Sequence, residues 1–298
     1  VIRLAVRVQR GQAELVLAEL IELAPDGVEE RELGDGLIEY AVYGAPGELP
    51  SLPDLQAAAG AALVEVSTSE TADDWDQRWK RFHRPVLIEA PVSPTRAIRR
   101  VPSVRIRPPW EPALGAGEDP LEEIVIDPGQ AFGTGGHPST RLCIELMLEL
   151  ACTSRERGAL IDLGSGSGVL AIVASRLGFA PVLALDLERE SVDAAKANAL
   201  ANDVALEIRR FDLRREVLPW LARGERPARE IALVANLLKP LLLELARELS
   251  SAPAQLIASG LLLEQADEVL DAFAQRLGMR ERRRLHEGEW AAIWLQAR

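Results

Sequence analysis

A chain of 298 residues, 48% hydrophobic and 27% charged, carries enough apolar material for one large core and a smaller one, so two domains are expected. Its net charge of −12 argues against a nucleic-acid footprint and suits a basic protein partner, and its two cysteines, Cys143 and Cys152, lack the paired spacing of a disulfide framework or a zinc site. No run approaches the ~18 apolar residues of a membrane span and no secretory leader is visible, so a cytoplasmic protein with no membrane attachment is expected.

In chain order, residues 1–68 read as β-α-β-β-α-β. Ile2–Val8 alternates as a strand, Gln12–Leu23 has helical periodicity, and Gly27–Arg31 and Gly36–Tyr43 are strands parted by Gly34-Asp35-Gly36. Leu52–Ala62 is a second helix and Leu63–Ser67 a closing strand. That order is a ferredoxin-like split βαβ unit. Residues 69–84 read as a helical connector, with Trp75, Trp79 and Phe82 on one face. Eight prolines between residues 85 and 120 remove donors and fix φ, leaving short strands such as Val86–Ile88 and Val104–Arg107. From Glu122 to the end, strand and helix alternate, as in a doubly wound α/β sheet. Helices are expected at Glu188–Asn202, near Leu213–Ala222, at Leu237–Leu249 and at Leu262–Leu277. Met279–His286 and Trp290–Gln296 read as an antiparallel edge hairpin.

Two segments carry chemistry. In Leu160-Ile-Asp162-Leu-Gly164-Ser-Gly166-Ser-Gly168 a buried strand opens through glycines into a helix, and Asp186 closes the next strand 22 positions after Gly164. Glycines allow close backbone approach, and a carboxylate at a strand end accepts hydrogen bonds from ribose hydroxyls. Gly166-Ser-Gly168-Val-Leu-Ala171 also satisfies the looser dinucleotide pattern, which leaves an oxidoreductase open. Asp162, ahead of the first glycine, either steers a cationic cofactor or ties down the loop. The second segment, Asp127-Pro-Gly-Gln-Ala-Phe132-Gly-Thr134-Gly-Gly-His137-Pro-Ser139-Thr140, holds four glycines and two prolines in 14 residues. It cannot form a regular element, and it opens a helix at Pro138-Ser139-Thr140.

The form D-x-G-x-G-x-G resembles motif I of the class I S-adenosylmethionine methyltransferases. Joined to D-P-G-x-A-F-G-T-G-x-H-P-[ST]-T, the aromatic connector, Arg107-Pro-Pro-Trp110, Val234-Ala-Asn236-Leu and Glu287-Gly-Glu289-Trp290, it resembles the PrmA family of ribosomal protein L11 methyltransferases along essentially the whole chain. The resemblance implies a Rossmann-like seven-stranded methyltransferase sheet behind an N-terminal recognition domain. It implies methyl transfer from S-adenosylmethionine to lysine side chains and the α-amino group of a large-subunit ribosomal protein, without direct nucleic-acid contact and without a required oligomer. It further implies cofactor contacts at Thr140, Gly164, Asp186 and Asn236, with Asp162, Gly166, Gly168 and Thr134 as further candidates. No metal is implied.

Each position also has a reading in its own terms. Thr140 offers a hydroxyl at a helix start, where it would equally cap the helix. Gly164 permits close approach or simply a tight turn. Asn236 has an amide that orients an incoming amine, against an Asn-type turn. Phe132 packs on the cofactor, encloses the amine or is a core ring. His137 is expected to anchor its loop by hydrogen bonds. Leu237-Leu238-Lys239-Pro240 departs from the commoner family form beside the acceptor site. Another protein acceptor, or a ribosome-associated binding module without turnover, remain the alternatives.

Overall fold

The computed structural model describes residues 2–13, 16–17, 20, 28–33, 36–44, 55–56, 59–70, 83–89, 91, 101–114, 121–128, 131–153, 157–221 and 226–298. The chain divides into two compact units, Val1–Phe82 and His83–Arg298. The connector aromatics Trp75, Trp79 and Phe82 lie outside the described residues.

The first unit is built on four antiparallel strands, β1 (Ile2–Gln9), β2 (Glu29–Glu32), β3 (Leu37–Gly44) and β4 (Leu63–Glu70), in the order β2-β3-β1-β4. Alternation puts Leu4, Val6 and Val8 of β1 and Ile38 and Tyr40 of β3 on one face. There they meet Ala13, Val16, Leu20, Leu55 and Ala59, all of them helical residues. On the other face, the buried Glu39 is clamped by Arg3 at 2.5 Å and Arg7 at 2.8 Å. These two guanidinium hydrogen bonds outweigh the desolvation cost and hold its carboxyl below the usual range.

The second unit begins with a small sheet of β5 (Val86–Ile88), β6 (Ser103–Arg107) and β7 (Leu121–Val125). β7 therefore pairs with β6 and is not the first strand of the large sheet, as the regular alternation from Glu122 suggested. The large sheet takes β8 (Ala159–Leu163), β9 (Val182–Asp186), β10 (Glu207–Arg210), β11 (Ile231–Asn236), β12 (Gln255–Leu262), β13 (Arg280–Glu287) and β14 (Trp290–Gln296) in the order β10-β9-β8-β11-β12-β14-β13. The first five are parallel. β14 is antiparallel to both β12 and β13, so the closing pair forms the expected antiparallel hairpin at one edge of the sheet, with β13 outermost.

Helices α1 (Pro138–Thr153), α2 (Val169–Arg176), α3 (Arg189–Ala201), α4 (Lys239–Glu248) and α5 (Ala266–Leu277) complete the fold. Strand alternation creates a core on each face. Leu160, Ala184, Val234 and Ile257 meet α1 and α2, whereas Ile161, Leu183, Leu233 and Leu256 meet α4 and α5. The helix expected near Leu213–Ala222 is absent from the described part of that segment. The amides of Arg215 and Glu216 both donate to the Asp212 carbonyl, after which Pro219, lacking an N–H, and Trp220 at φ +65° end the turn. No helix among the described residues is long and apolar enough to cross a membrane.

Candidate active site

The strand order reverses between β8 and β11: the chain winds outward from β8 through β9 to β10, then returns to build β11 and β12 on the other side. In open α/β sheets the crevice at the carboxyl ends of such a pair is where ligands bind. Gly164 follows β8, Asp186 ends β9 and Asn236 ends β11, so the topology brings all three to that edge.

The glycine loop is held by the protein's own acceptors. Asp186 Oδ2 accepts the Gly166 amide at 2.8 Å and its Oδ1 accepts Glu188 at 3.0 Å. The Ser167 amide donates to Phe132 O at 2.8 Å, Gly168 to Ser165 O at 2.8 Å, Val169 to Ser167 Oγ at 3.3 Å and Ala171 to Asp162 Oδ2 at 3.0 Å. Five amides between positions 166 and 171 are thus committed. A dinucleotide pyrophosphate needs those donors free at the helix start, and a fully buried carboxyl from Asp162 lies beneath them. The dinucleotide reading fails on this geometry. The glycines themselves make room for protein: a Cβ on Gly164, at φ +75°, would collide with the Leu237 side chain, and one on Gly166, at φ +51°, with the Phe132 carbonyl.

Asp162 ties down the start of α2, the structural role weighed for it, yet its Oδ1 is buried without a hydrogen-bond partner. Burial, with a smaller push from Asp186 against the Ala171 hydrogen bond, raises its pKa to about 7. A cation arriving in the crevice would lower it again.

Thr140 and Asn236 meet across the crevice, with Asn236 Nδ2 donating to Thr140 Oγ1 at 3.3 Å. Thr140 is the third residue of α1. The turn is capped instead by His137, whose carbonyl accepts the Thr140 and Arg141 amides while its Nδ1 accepts the Ser139 amide at 3.3 Å and lies 2.8 Å from Ser139 Oγ. Burial and then Arg141 lower the His137 pKa, against Glu287, which favours the neutral ring. His137 thus anchors its loop by hydrogen bonds, and its ring packs edgewise on Trp290 (4.6 Å between centroids) and on Phe132 (5.3 Å). Phe132 is no core ring, being 58% exposed. Thr134, in the same segment, is half-buried. Lys239, the charge in the variant segment, pairs with Glu268 of α5 at 2.8 Å, and Leu238 beside it is 65% exposed.

Sequence reasoning passed over Ser167, Asn198, Asn202 and Ser259, all buried. Asn198 Oδ1 accepts the Asp127 amide and its Nδ2 donates to Ser167 O, while Asn202 brackets Val125 through both its N–H and C=O. The available signal was two asparagines one turn apart on the same face as Ala195 and Ala199, where polar side chains otherwise disfavour a helix interior.

Residues 52–298 match the family model described as Ribosomal protein L11 methyltransferase (PrmA). The chain is 36% identical over 236 residues to the ribosomal protein L11 methyltransferase of Pelobacter propionicus, covering 76% of this chain and 68% of that one. With the protein of the same description from Geobacter metallireducens it shares 32% over 233 residues, 77% and 68% of the two chains. A solved ribosomal protein L11 methylase from Lactobacillus delbrueckii subsp. bulgaricus superposes with a TM-score of 0.53 at 27% identity, covering 71% of this chain and 98% of that one. With the model matching well over half of its length, the chain belongs to the PrmA family of ribosomal protein L11 methyltransferases.

Proposed function

We propose that this protein transfers methyl groups from S-adenosylmethionine to amines of a ribosomal protein of the L11 type, lysine side chains and the α-amino group included. The observation that carries the reading is the convergence of the glycine loop, Asp186 and the Thr140–Asn236 pair at the switch point between β8 and β11. The residues fit that cofactor. The crevice offers no free row of amides for a phosphate, and it has two carboxylates, one carrying an orphaned buried oxygen, for a ligand with an ammonium and a sulfonium. Asp186 retains lone pairs beyond its two backbone hydrogen bonds and would take the ribose hydroxyls, Gly164 and Gly166 would lie against the cofactor's backbone side, and Asp162 would balance the positive charge through the loop. Bound there, the cofactor supplies an electrophilic methyl.

The chain's own part in the reaction is positioning. In-line displacement needs the amine lone pair aimed at the methyl from the side opposite sulfur, so fixing that line accounts for most of the rate. Asn236, steadied by Thr140, presents its amide oxygen to an amine N–H; Phe132 walls the approach. A lysine, with a reference pKa of roughly 10.4, must lose its proton first. Partial desolvation beside Phe132 and the half-buried Trp290 favours the neutral amine, and the proton leaves to solvent through the open side of the crevice. We read the first unit as ferredoxin-like and as the part that recognises the acceptor, and an acceptor drawn from the ribosome puts the reaction in the cytoplasm.

Incubation with radiolabelled S-adenosylmethionine and purified L11-type protein tests this directly. Label in that protein, with several methyl groups on mass spectrometry, is expected. Tight S-adenosylhomocysteine binding without label in any ribosomal protein would reject the acceptor.

A further inference from the structure

We infer that Ser167 and Asn198 are positioning residues that latch the acceptor-side segment Asp127–Thr140 onto the donor-side glycine loop, so that cofactor and acceptor protein bind cooperatively. The inference rests on the methyltransferase reading of the crevice and adds to it the coupling between its two halves.

Ser167 is fully buried and spends every polar atom on the junction. Its amide donates to Phe132 O (2.8 Å), its hydroxyl donates to Gly133 O (2.6 Å) and accepts the Val169 amide (3.3 Å), and its carbonyl accepts Asn198 Nδ2 (2.9 Å). Asn198, 3% exposed, uses its other end on the Asp127 amide at 3.0 Å. One helical residue therefore holds both the first residue of the segment and the glycine loop. The segment is fastened at Asp127, at Phe132-Gly133 and, through Thr140, at Asn236. Packing closes the same joint: Gly133, at φ +102°, would carry its Cβ 3.1 Å from Ser167 Oγ, and Gly166 backs onto the Phe132 carbonyl.

A loop so connected cannot shift by itself. Displacement of Gly166–Gly168 as a ligand settles moves the Phe132 carbonyl, and with it an exposed ring whose edge packs against His137 and, through that ring, Trp290. Polar groups this deeply buried are costly to separate, so the joint moves as a unit rather than opening. Coupling of this kind is reciprocal: whatever the cofactor does for acceptor affinity, the acceptor does for cofactor affinity.

The test is calorimetric titration of full-length protein with L11-type acceptor, with and without saturating S-adenosylhomocysteine, and the converse titration. Wild type should bind acceptor at least fivefold more tightly in the presence of S-adenosylhomocysteine. Ser167→Ala keeps the amide to Phe132 but loses both hydroxyl bonds, and its coupling ratio should fall to about one. Asn198→Ala should lose the coupling as well. Ile293→Val in β14, which lowers Tm without touching the joint, should keep the wild-type ratio, separating the latch from general destabilisation. A wild-type ratio of one, or a full ratio retained in Ser167→Ala, overturns the latch while leaving methyl transfer intact. Failure of wild type to bind S-adenosylhomocysteine overturns the crevice reading and the latch with it.

Discussion

Asp186 and Asp162 stand on neighbouring strands at the same edge, yet their surroundings set them different tasks. Asp186 is half-buried and accepts two backbone amides, which fix its side chain at the crevice. Asp186→Ala removes both the loop anchor and the proposed sugar contacts, so S-adenosylhomocysteine Kd should rise about 100-fold or more, two charge-assisted hydrogen bonds being lost at about 1.5–3 kcal/mol each; unchanged affinity by calorimetry would remove the assignment. Asp162 is fully buried and its pKa is raised to about 7, above its unfolded value. Between roughly pH 4 and 7 the folded state therefore holds a proton that the unfolded state has lost. The stability this group contributes is present at low pH and disappears as pH rises through the folded pKa. A cationic ligand reverses the preference, since it favours the carboxylate. S-adenosylmethionine affinity should thus increase as pH rises through about 7, and Asp162→Asn should flatten both profiles; a pH-independent Kd in wild type would show that this carboxyl does not sense the ligand.

At the scale of elements, the catalytic edge depends on backbone crossings that tolerate no side chain. Gly166→Ala combines strain at φ +51° with a Cβ driven into the Phe132 carbonyl, neither of which a flexible side chain can relieve. It should cost about 3 kcal/mol, some 6–12 °C in Tm for a unit of this size. Gly288→Ala, at φ +57° in the two-residue turn between β13 and β14 but with open space around its Cβ, should cost only about 1 kcal/mol. Equal losses by thermal denaturation would refute the argument from close approach. The contrast also marks what the sequence could reveal. The glycine loop, Asp186 and Asn236 were legible because a strand end followed by a turn is a local pattern, and the helices expected at Glu188–Asn202 and Leu237–Leu249 lie within two residues of those bounds, whereas the one expected from Leu262 begins at Ala266. The helix expected near Leu213–Ala222 is absent from the described part of that segment, because periodicity is blind to the missing donor of Pro219. Nor does local alternation reveal that β12 passes through a bulge between Ala258 and Leu261 and continues to Leu262, with Gly260 at φ +79° letting the Leu237 carbonyl pack against it. The joint between Asp127, Ser167 and Asn198 spans 31 to 71 positions of sequence, a distance over which no local pattern speaks.

Across the whole molecule, each unit has its own core, and every residue assigned to the crevice belongs to His83–Arg298. The family match begins at residue 52, within the first unit, so β1, β2 and β3 lie outside the matched residues. Catalysis by positioning makes the two units separable in a definite way. Donor affinity depends on local hydrogen bonds within the second unit, whereas placing a protein's amine on the methyl's axis draws on binding energy gathered far from the reacting atoms. A chain comprising residues 83–298 should therefore fold, bind S-adenosylhomocysteine within about threefold of the full-length Kd, and lose at least 100-fold in kcat/KM toward the L11-type protein. The same fragment should methylate a short lysine peptide no worse than the intact protein does, because a peptide offers the first unit little to hold. Undiminished kcat/KM toward the folded acceptor would relocate recognition to the second unit, where the exposed Phe132 and Leu238 at the crevice mouth would have to supply it.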